Sequence, residues 1–296
     1  MKVLLTGAAG QVGAALVNSV PDHVELSALT RAELNIADED AVRAEVAAFQ
    51  PQVIINAAAY TAVDAAESEP DLAGAINAQG PRHLAQAALS IPGCRLLHIS
   101  TDYVFDGLAS QPYRPGDQTN PLSVYGRTKL QGEHEVLEAL GQRAVVLRTA
   151  WVYAAEGKNF LMTMLRLMRE RGTVRVVADQ LGSPTSADSI ARALWALAQR
   201  PATAGILHWT DAGTASWYDF AVAIATEGFA AGVLSMPAQV TPIKTADYPT
   251  AAHRPANSVL DCRESVAAVG HAPVSWRVTL RSTLAMLGAM AEPVAA

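Results

Sequence analysis

Two side chains able to protonate a carbonyl oxygen lie four residues apart near the middle of this sequence. Tyr125 and Lys129 belong to the segment VYGRTKLQGEHEVLEAL, whose helical pattern places both on one face. A free phenol has a pKa of about 10, and an ammonium beside it favours the phenolate and lowers that pKa. We therefore predict that Tyr125 is a general acid for a ketone being reduced and that Lys129 activates it.

Hydroxyl side chains precede this pair along the chain. The apolar run RLLHIST ends in Ser100 and Thr101, and open α/β sheets bind their ligands at the carboxyl ends of strands. Thr101 is therefore predicted to hydrogen-bond the same carbonyl oxygen. Because a Tyr-x-x-x-Lys spacing alone is frequent by chance, this prediction depends on the nucleotide loop that comes earlier in the chain.

That loop is the glycine-rich stretch TGAAGQVG. It places Gly7, Gly10 and Gly13 between an apolar strand and a helical run. Glycines there permit a tight turn and close backbone approach to a pyrophosphate, which the helix N-terminus attracts. The pattern predicts a dinucleotide site.

The residues after the second strand bear on which dinucleotide binds. An NAD site usually has an acidic residue there, whereas this chain has Thr30 and Arg31. An arginine would pair with a 2′-phosphate, which favours NADPH, although a solvated surface arginine explains Arg31 nearly as well. NADH stays an alternative.

The elements that must position these residues alternate from the first residue. We predict strands at KVLLTG, VELSALT, QVIINAAA, RLLHIST and AVVLRTAWV, with amphipathic helices at DEDAVRAEVAAF and DLAGAINAQGPRHLAQAAL between them. This alternation predicts an α/β fold with a Rossmann-type doubly wound parallel sheet.

The pattern loosens after about residue 152. Later predicted elements are a helix at NFLMTMLRLMRERG, a strand at TVRVVAD, a helix through IARALWALAQR, a strand at GILHWTD, a helix capped by Ser216, and a closing helix near VTLRSTLAML. We assign residues 1–152 to the dinucleotide-binding domain and 153–296 mainly to a smaller C-terminal α/β substrate lobe, with some later segments returning to the first domain.

Composition excludes several classes of protein. The chain has 296 residues and a formal charge of −6, with no block of Lys or Arg, so we expect no nucleic-acid or membrane partner. Cys94 and Cys262 lie far apart and match no metal or redox pair, which favours free thiols in the cytoplasm. His98 and His208 lie in apolar strands without metal-ligand spacing, so we predict buried histidines and no catalytic metal.

The chain resembles the extended short-chain dehydrogenase/reductases. The resemblance is carried by TGxxGxxG at 6–13, NAAA at 56–59, Ser100-Thr101 and Tyr125-x-x-x-Lys129. It is similar more narrowly to the dTDP-4-dehydrorhamnose reductases. The stretches behind this match are NAAAYTAVDAAESEP, STDYVFDG, NPLSVYGRTKLQGE, RTAWVY, DQLGSPT and RPANSVLD.

The resemblance implies reduction of the 4-keto group of dTDP-6-deoxy-L-lyxo-4-hexulose to dTDP-L-rhamnose by NADPH or NADH, for a polysaccharide or a secondary metabolite. Tyr125 would donate the proton, Thr101 would tune it, and Lys129 would orient the phenol and the cofactor ribose. The implied cofactor contacts are Gly7, Gly10, Gln11, Val12, Gly13, Thr30, Arg31, Asn35, Ile36, Ala57, Ala58, Ala59, Tyr60, Thr61, Asn77, Tyr125 and Lys129. The implied substrate contacts are Thr101, Asp102, Val104, Tyr125, Trp151, Asn159, Gln180 and Arg254.

Three of the substrate contacts have simpler explanations. Asp102 would also serve as a cap for the turn after its strand, and a tryptophan at a strand end, such as Trp151, is more often core. Arg254 would suit a diphosphate because its guanidinium fork matches phosphate oxygens, but a surface ion pair explains it equally well.

Two departures from the family pattern bear on assembly and cofactor. Some relatives dimerise through a magnesium site with a glutamate where this chain has Ala14-Ala15, so we expect a monomer or a weak homodimer without bridging magnesium. Asn35-Ile36 replaces a common Asp-Ile pair at the adenosine end.

Rival functions remain open within the superfamily and outside catalysis. A 4,6-dehydratase typically has an Asp-Glu pair after the strand-end threonine, whereas this chain has Asp102-Tyr103, so reduction is favoured over elimination. An epimerase, a ketoreductase making another deoxysugar nucleotide, and a non-catalytic dinucleotide-binding subunit are the alternatives.

Overall fold

A computed structural model describes residues 1–290, and its centre is one parallel sheet. The strands are β1 Lys2–Thr6, β2 Glu25–Leu29, β3 Val53–Asn56, β4 Arg95–Thr101, β5 Ala144–Thr149, β6 Val152–Tyr153, β7 Thr173–Val177, β8 Leu181–Gly182, β9 Thr185–Ser186, β10 Gly205–His208, β11 Ala215–Ser216 and β12 Gln239–Ile243. Six of them form the sheet in the order β2-β1-β3-β4-β5-β10, all parallel. The strand order reverses direction between β1 and β3, the place where doubly wound sheets bind ligands.

Helices cover both faces of this sheet and build the C-terminal lobe. They are α1 Gln11–Asn18, α2 Glu39–Phe49, α3 Val63–Ala66, α4 Pro70–Gly74, α5 Gly80–Leu89, α6 Val124–Leu140, α7 Phe160–Arg171, α8 Ala187–Ala198, α9 Trp217–Ala230, α10 Arg263–Val269 and α11 Trp276–Met290. Ser216 caps α9 in a reciprocal capping box with Asp219, as predicted. The predicted Rossmann-type doubly wound α/β fold is confirmed.

Two predicted elements are divided in the structure. The helix predicted over DLAGAINAQGPRHLAQAAL contains a π-helical turn at Ala75–Gln79 between α4 and α5. Pro81 has no N–H to bond the carbonyl of Asn77 four residues earlier, which favours this widened turn. The strand predicted over AVVLRTAWV breaks into β5 and β6, because the chain turns at Trp151, whose φ is +48°.

Segments from the second half of the chain pack against the central sheet and complete its apolar core. β10 extends the sheet next to β5, and α8 packs against α1, where Trp195 Nε1 donates to the Leu16 carbonyl at 3.3 Å. A separate apolar core in the C-terminal lobe joins α7, α9 and α11 through Leu165, Phe220 and Leu280.

A buried ion pair fixes α6 to the sheet. Glu133 of α6 and Arg148 of β5 are at most 2% exposed, and Arg148 Nη2 lies 2.6 Å from Glu133 Oε2. Ser100 at the end of β4 donates to the same carboxylate. Because α6 also contains Tyr125 and Lys129, the ion pair between Glu133 and Arg148 fixes the position of these two residues relative to the sheet.

Within residues 1–290 no helix is both long and apolar enough to cross a membrane.

His98 and His208 are fully buried, as predicted from their apolar strands.

The glycine loop provides a stability test. A Cβ on Gly13 would lie 2.1 Å from the Gly7 carbonyl oxygen, so Gly13→Ala is expected to lower the free energy of unfolding by about 1–3 kcal/mol. Gly74 in α4 has no atom within 4 Å of the corresponding Cβ, so the control variant Gly74→Ala should change it by less than about 1 kcal/mol. Urea unfolding followed by circular dichroism measures both, and equal stabilities for the two variants would contradict the close packing.

Candidate active site

The glycine loop brings β1, α1 and the end of β3 into direct backbone contact. Gly7 has a φ of +76°, and a Cβ there would lie 2.5 Å from the Ala58 nitrogen. Only glycine fits at Gly7, and Gly13 is confined by the Gly7 oxygen. The loop therefore forms a tight backbone cradle without side chains at Gly7, Gly10 and Gly13, as a pyrophosphate site requires.

The start of α1 offers backbone groups to a ligand. Its N-cap residue is Gly10, so no side chain bonds the first N–H groups. Gln11 Oε1 accepts from Asn159 Nδ2 at 2.9 Å, and Val12 is 9% exposed within the core. What Gln11 and Val12 can present to an anion is thus their backbone N–H groups.

The adenosine end of the predicted cofactor site contains an acid that the sequence analysis missed. Glu33 Oε2 accepts 2.8 Å hydrogen bonds from both the nitrogen and the hydroxyl of Thr30, and these bonds lower the pKa of Glu33. Arg31 is exposed beside it, and Asn35 Oδ1 accepts from the Ala37 nitrogen. The signal for Glu33 was its place three residues after Thr30 in a turn.

Ile36 does not present its side chain to a cofactor. It is 3% exposed in the core beneath α5, where it meets Gly80. The structure therefore places Ile36 among the packing residues, because its neighbour Leu34 and the helices α2 and α5 cover it.

The segment after β3 is held from beneath by one amide. Asn77 is fully buried, and its side chain accepts from the Tyr60 nitrogen at 2.8 Å and donates to the Tyr60 carbonyl at 3.1 Å. It also donates to Thr128 Oγ1 in α6 at 3.2 Å. Asn77 therefore positions Tyr60 and its neighbours Ala59 and Thr61 instead of presenting a free group.

Thr101 and Tyr125 meet at the carboxyl end of β4. The hydroxyl of Thr101 lies between two groups: it donates to Asp102 Oδ1 at 3.0 Å and accepts from the Tyr103 nitrogen at 3.2 Å. The nearness of the Thr101 hydroxyl lowers the pKa of Tyr125 in part. The ring of Tyr125 packs edge-on against Tyr103, with centroids 5.6 Å apart.

The expected acidification of Tyr125 by Lys129 is wrong for this structure. Burial, with a smaller contribution from the Asp102 carboxylate, raises the pKa of Tyr125 to about 12. The reason is that the Lys129 amine is directed elsewhere: Nζ donates to the Ile99 carbonyl at 2.6 Å. The phenol therefore holds its proton tightly.

Burial acts on Lys129 and Asp102 in the same sense. Lys129 is 2% exposed, and desolvation lowers its pKa to about 8, although Glu133 opposes this. Asp102 is also 2% exposed, and burial raises its pKa to about 6 against the nearby Ser258 and Thr101 hydroxyls. Both groups are pushed toward their neutral forms.

Val104 does not offer its side chain to a ligand. It is fully buried in a small apolar cluster with Phe105, Tyr113 and Leu260. Its carbonyl accepts from the Asn120 nitrogen at 2.9 Å. The structure thus assigns Val104 to packing, because the chain turns inward directly after Asp102.

A cavity of about 1040 Å³ lies in the C-terminal lobe and reaches Tyr103. Two predicted substrate residues, Gln180 and Arg254, line it. The sequence analysis missed other lining residues, namely the aromatic side chains Phe160, Trp217 and Tyr248 and the guanidinium groups Arg171 and Arg175. Charged and aromatic groups on one wall suit a nucleotide.

Trp151 reaches this cavity only through a second indole. Its ring stacks on Trp217 with centroids 3.5 Å apart and an interplanar angle of 5°. Trp217 lines the cavity and Trp151 does not. Trp217, the first residue of α9 after the N-cap Ser216, is therefore the indole on the cavity wall, and the substrate contact of Trp151 stays a prediction.

Arg254 belongs to an ion pair as well as to the cavity wall. Its two terminal nitrogens donate to the two oxygens of Asp64 in α3 at 3.1 and 2.7 Å, and Asp64 also accepts from the Ala252 nitrogen at 3.0 Å. Asn159 lies outside the cavity lining and caps α7 by accepting from the Met162 nitrogen. The ion pair weighed as an alternative for Arg254 is therefore present, and its diphosphate contact stays a prediction.

The chain is similar to known proteins over nearly its whole length. Residues 1–288 match the family model described as the RmlD substrate binding domain. A dTDP-4-dehydrorhamnose reductase of Aggregatibacter actinomycetemcomitans is 43% identical over 288 residues, covering 95% of this chain and 97% of the relative. A Streptomyces antibioticus protein named "Probable dTDP-4,6-dihydroxy-2-methyloxan-3-one 4-ketoreductase" is 41% identical over 295 residues, covering 99% and 98%.

A solved structure gives the same result at the level of the fold. The dTDP-4-dehydrorhamnose reductase of Bacillus anthracis in complex with NADP superposes with a TM-score of 0.89 at 34% identity, covering 95% of this chain and 98% of that one. The family model, the curated relatives and the solved structure all match nearly the full length of the chain. The chain therefore belongs to the dTDP-4-dehydrorhamnose reductase family of oxidoreductases.

Proposed function

We propose that this protein reduces the 4-keto group of dTDP-6-deoxy-L-lyxo-4-hexulose to give dTDP-L-rhamnose. The observation that carries the proposal is that Thr101 ends β4 at the carboxyl edge of the sheet, close to Tyr125, whose ring packs on Tyr103 of the cavity wall. The cradle supports a cofactor and the cavity a substrate. The two hydroxyls suit a ketone that meets a hydride donor.

The residues present fit a dinucleotide. The cradle at Gly7 and Gly13 leaves no space for a Cβ, and the Gly10 N-cap leaves backbone N–H groups for a pyrophosphate. When bound, NADPH or NADH supplies the hydride that reduces the carbonyl carbon. Lys129 lies one turn after Tyr125 and would meet the cofactor ribose.

The cofactor choice depends on two opposing charges. Exposed Arg31 suits the 2′-phosphate of NADPH, and the Bacillus anthracis relative has NADP bound. Glu33, which holds Thr30, suits ribose hydroxyls and repels a phosphate. NADPH is the proposed cofactor, and the Glu33 carboxylate supports NADH as a second one.

The protein groups perform the proton transfer. Because burial raises the pKa of Tyr125 to about 12, the phenol is protonated throughout the neutral range and is ready to donate to a carbonyl oxygen as that oxygen gains charge. Thr101 supplies a second hydroxyl at the same place, already oriented by Asp102 and the Tyr103 nitrogen.

The cavity supports a nucleoside diphosphate sugar as substrate. Its volume of about 1040 Å³ is at the upper end of the range for small-molecule sites. Arg171, Arg175 and Arg254 would meet the diphosphate, and Trp217 and Tyr248 would stack on flat rings.

The Ala14-Ala15 pair in α1 supports a monomer or a weak homodimer without bridging magnesium.

The relative from Streptomyces antibioticus supports a second candidate. A 4-ketoreductase for a different deoxysugar nucleotide would use the same catalytic groups and differ in the cavity wall. Assaying the wild-type protein with several dTDP-4-keto sugars and either cofactor, by the absorbance of the reduced nicotinamide, decides between the two. Turnover confined to a sugar other than the rhamnose precursor would favour the second candidate.

Loss of the phenol tests the proton donor. Tyr125→Phe is expected to lower kcat by about 10²–10⁴-fold, the range for general acid catalysis, while cofactor affinity changes little. Tyr218→Phe is the matched control, since Tyr218 packs on the C-terminal core and does not line the cavity. Steady-state rates and a cofactor titration by fluorescence measure both effects, and a fully active Tyr125→Phe variant would refute the mechanism.

Loss of the guanidinium tests the diphosphate contact. Arg254→Gln is expected to raise KM for the sugar nucleotide by roughly 10–100-fold, because a charge-assisted hydrogen bond contributes about 1.5–3 kcal/mol. Arg166→Gln is the control, because Arg166 pairs with Glu170 on the surface of α7 and is not part of the cavity wall. An unchanged KM, together with unchanged competition by dTDP, would place the diphosphate elsewhere.

A further inference from the structure

A row of buried polar side chains crosses the sheet beneath the catalytic groups. Thr6, Asn56 and His98 are paired residues on the adjacent strands β1, β3 and β4, so their side chains share one face. All three are 0% exposed. The row ends at Lys129, whose Nζ lies 3.4 Å from His98 Nε2.

The orientation of the Asn56 amide is fixed by its neighbours. The backbone N–H of Ala58 can only donate, and it lies 3.1 Å from Asn56 Oδ1. Thr6 Oγ1 donates to the same oxygen at 2.8 Å. The amide oxygen therefore faces these donors, and Asn56 Nδ2 must face His98.

This orientation determines the tautomer of His98. Asn56 Nδ2 is a donor 3.0 Å from His98 Nδ1, so Nδ1 must accept and has no proton. A neutral imidazole then has its proton on Nε2, the nitrogen that faces Lys129. Burial and Lys129 lower the pKa of His98 well below its ordinary value, which agrees with a neutral ring.

The resulting N–H is unfavourable for an ammonium and favourable for an amine. An ammonium only donates hydrogen bonds, whereas a neutral amine also has a lone pair. As an amine, Lys129 donates to the Ile99 carbonyl at 2.6 Å, accepts from His98, and keeps one N–H for a partner at the active site.

We propose that the Thr6–Asn56–His98 row fixes His98 as its Nε2–H tautomer. This tautomer lowers the proton affinity of the Lys129 amine. His98 is then a positioning residue, and Lys129 is a group that changes protonation near neutral pH instead of a permanent cation. The role of Lys129 in turnover rests on the proposed reductase function, whereas the tautomer and the proton affinity are properties of the protein alone.

The other charged groups around Lys129 do not supply this effect. Glu133, one turn later in α6, raises the pKa of Lys129, but its charge is paired with Arg148 of β5. Asp102, at the end of β4, is pushed by burial toward its neutral form. Tyr125, one turn earlier, is neutral because its pKa is raised. Only His98 directs an N–H toward Lys129 Nζ among these groups.

The tautomer is tested by NMR on the full-length protein. With ¹⁵N-labelled histidine, His98 is expected to show a protonated Nε2 and an unprotonated Nδ1. In Asn56→Asp, the carboxylate retains the bonds from Thr6 and Ala58 but accepts from His98, so the proton moves to Nδ1 and Nε2 becomes an acceptor for the ammonium. A wild-type His98 protonated at Nδ1 would overturn the proposal.

The proton affinity is tested with ¹³C-labelled lysine, because the chain contains only Lys2, Lys129, Lys158 and Lys244. Lys129 is expected to titrate below the three others, and in Asn56→Asp to bind its proton at least about tenfold more tightly, a pKa rise of about one unit. Titration of wild-type Lys129 together with the other three lysines would overturn the proposal.

Substitutions at His98 separate the N–H from the charge added in Asn56→Asp. His98→Asn keeps an acceptor for Asn56 but removes the N–H next to Lys129, so proton binding by Lys129 should tighten as in Asn56→Asp. His98→Gln returns an amide N–H near Lys129 and should restore wild-type titration. Equal titration of Lys129 in both variants, each shown to be folded by its thermal unfolding midpoint, would overturn the role of the N–H.

Turnover is measured separately, so that the two proposals fail separately. If reduction occurs, the pH profile of kcat should shift in His98→Asn in the direction of the Lys129 pKa and return in His98→Gln. Absence of reduction in the wild type together with the expected NMR result would refute the proposed function and leave the tautomer inference supported.

Discussion

The buried ion pair between Glu133 and Arg148 is the constraint on which the active site depends. Tyr125, Lys129 and Glu133 occupy successive turns of α6, and the pair binds the last of these to β5 while Ser100 binds the same carboxylate from β4. A buried pair of this kind contributes little net stability, because desolvation offsets the attraction. What it provides is position, since breaking it would leave a charge without a partner in the core.

Burial then determines the chemistry of the groups that the ion pair positions. It raises the pKa of Tyr125 and lowers that of Lys129, so both favour their neutral forms. A phenol that keeps its proton until a nearby oxygen acquires charge is a suitable donor in a reduction. The sequence argument assumed a permanent ammonium next to the phenol, and it missed that the lysine amine bonds the Ile99 carbonyl.

Local signals in the sequence were sufficient for the sheet and the glycine loop. The strands and the Ser216 cap follow from short-range pattern, and Gly13 is required by contacts within one strand-loop-helix unit, whereas Gly7 is also confined by Ala58 after β3. Long-range pairings were not accessible in this way. Glu33 next to Thr30 was overlooked, and the side chains of Ile36 and Val104 are buried in apolar clusters. Trp217 lies over Trp151 because α9 folds back from the second lobe.

The ion pair between Asp64 and Arg254 joins a short local element to a distant part of the chain. Asp64 belongs to α3, whereas Arg254 comes from a Pro-rich stretch almost two hundred residues later and lines the cavity. Since Asp64 also accepts from the Ala252 nitrogen, the loop and its guanidinium are held as one unit. Asp64 lowers the conformational freedom that Arg254 would otherwise lose on meeting a diphosphate, and its own pKa is lowered by the same contact. An element of the Rossmann half thereby positions a guanidinium on the wall of a cavity that is formed mainly by the C-terminal half.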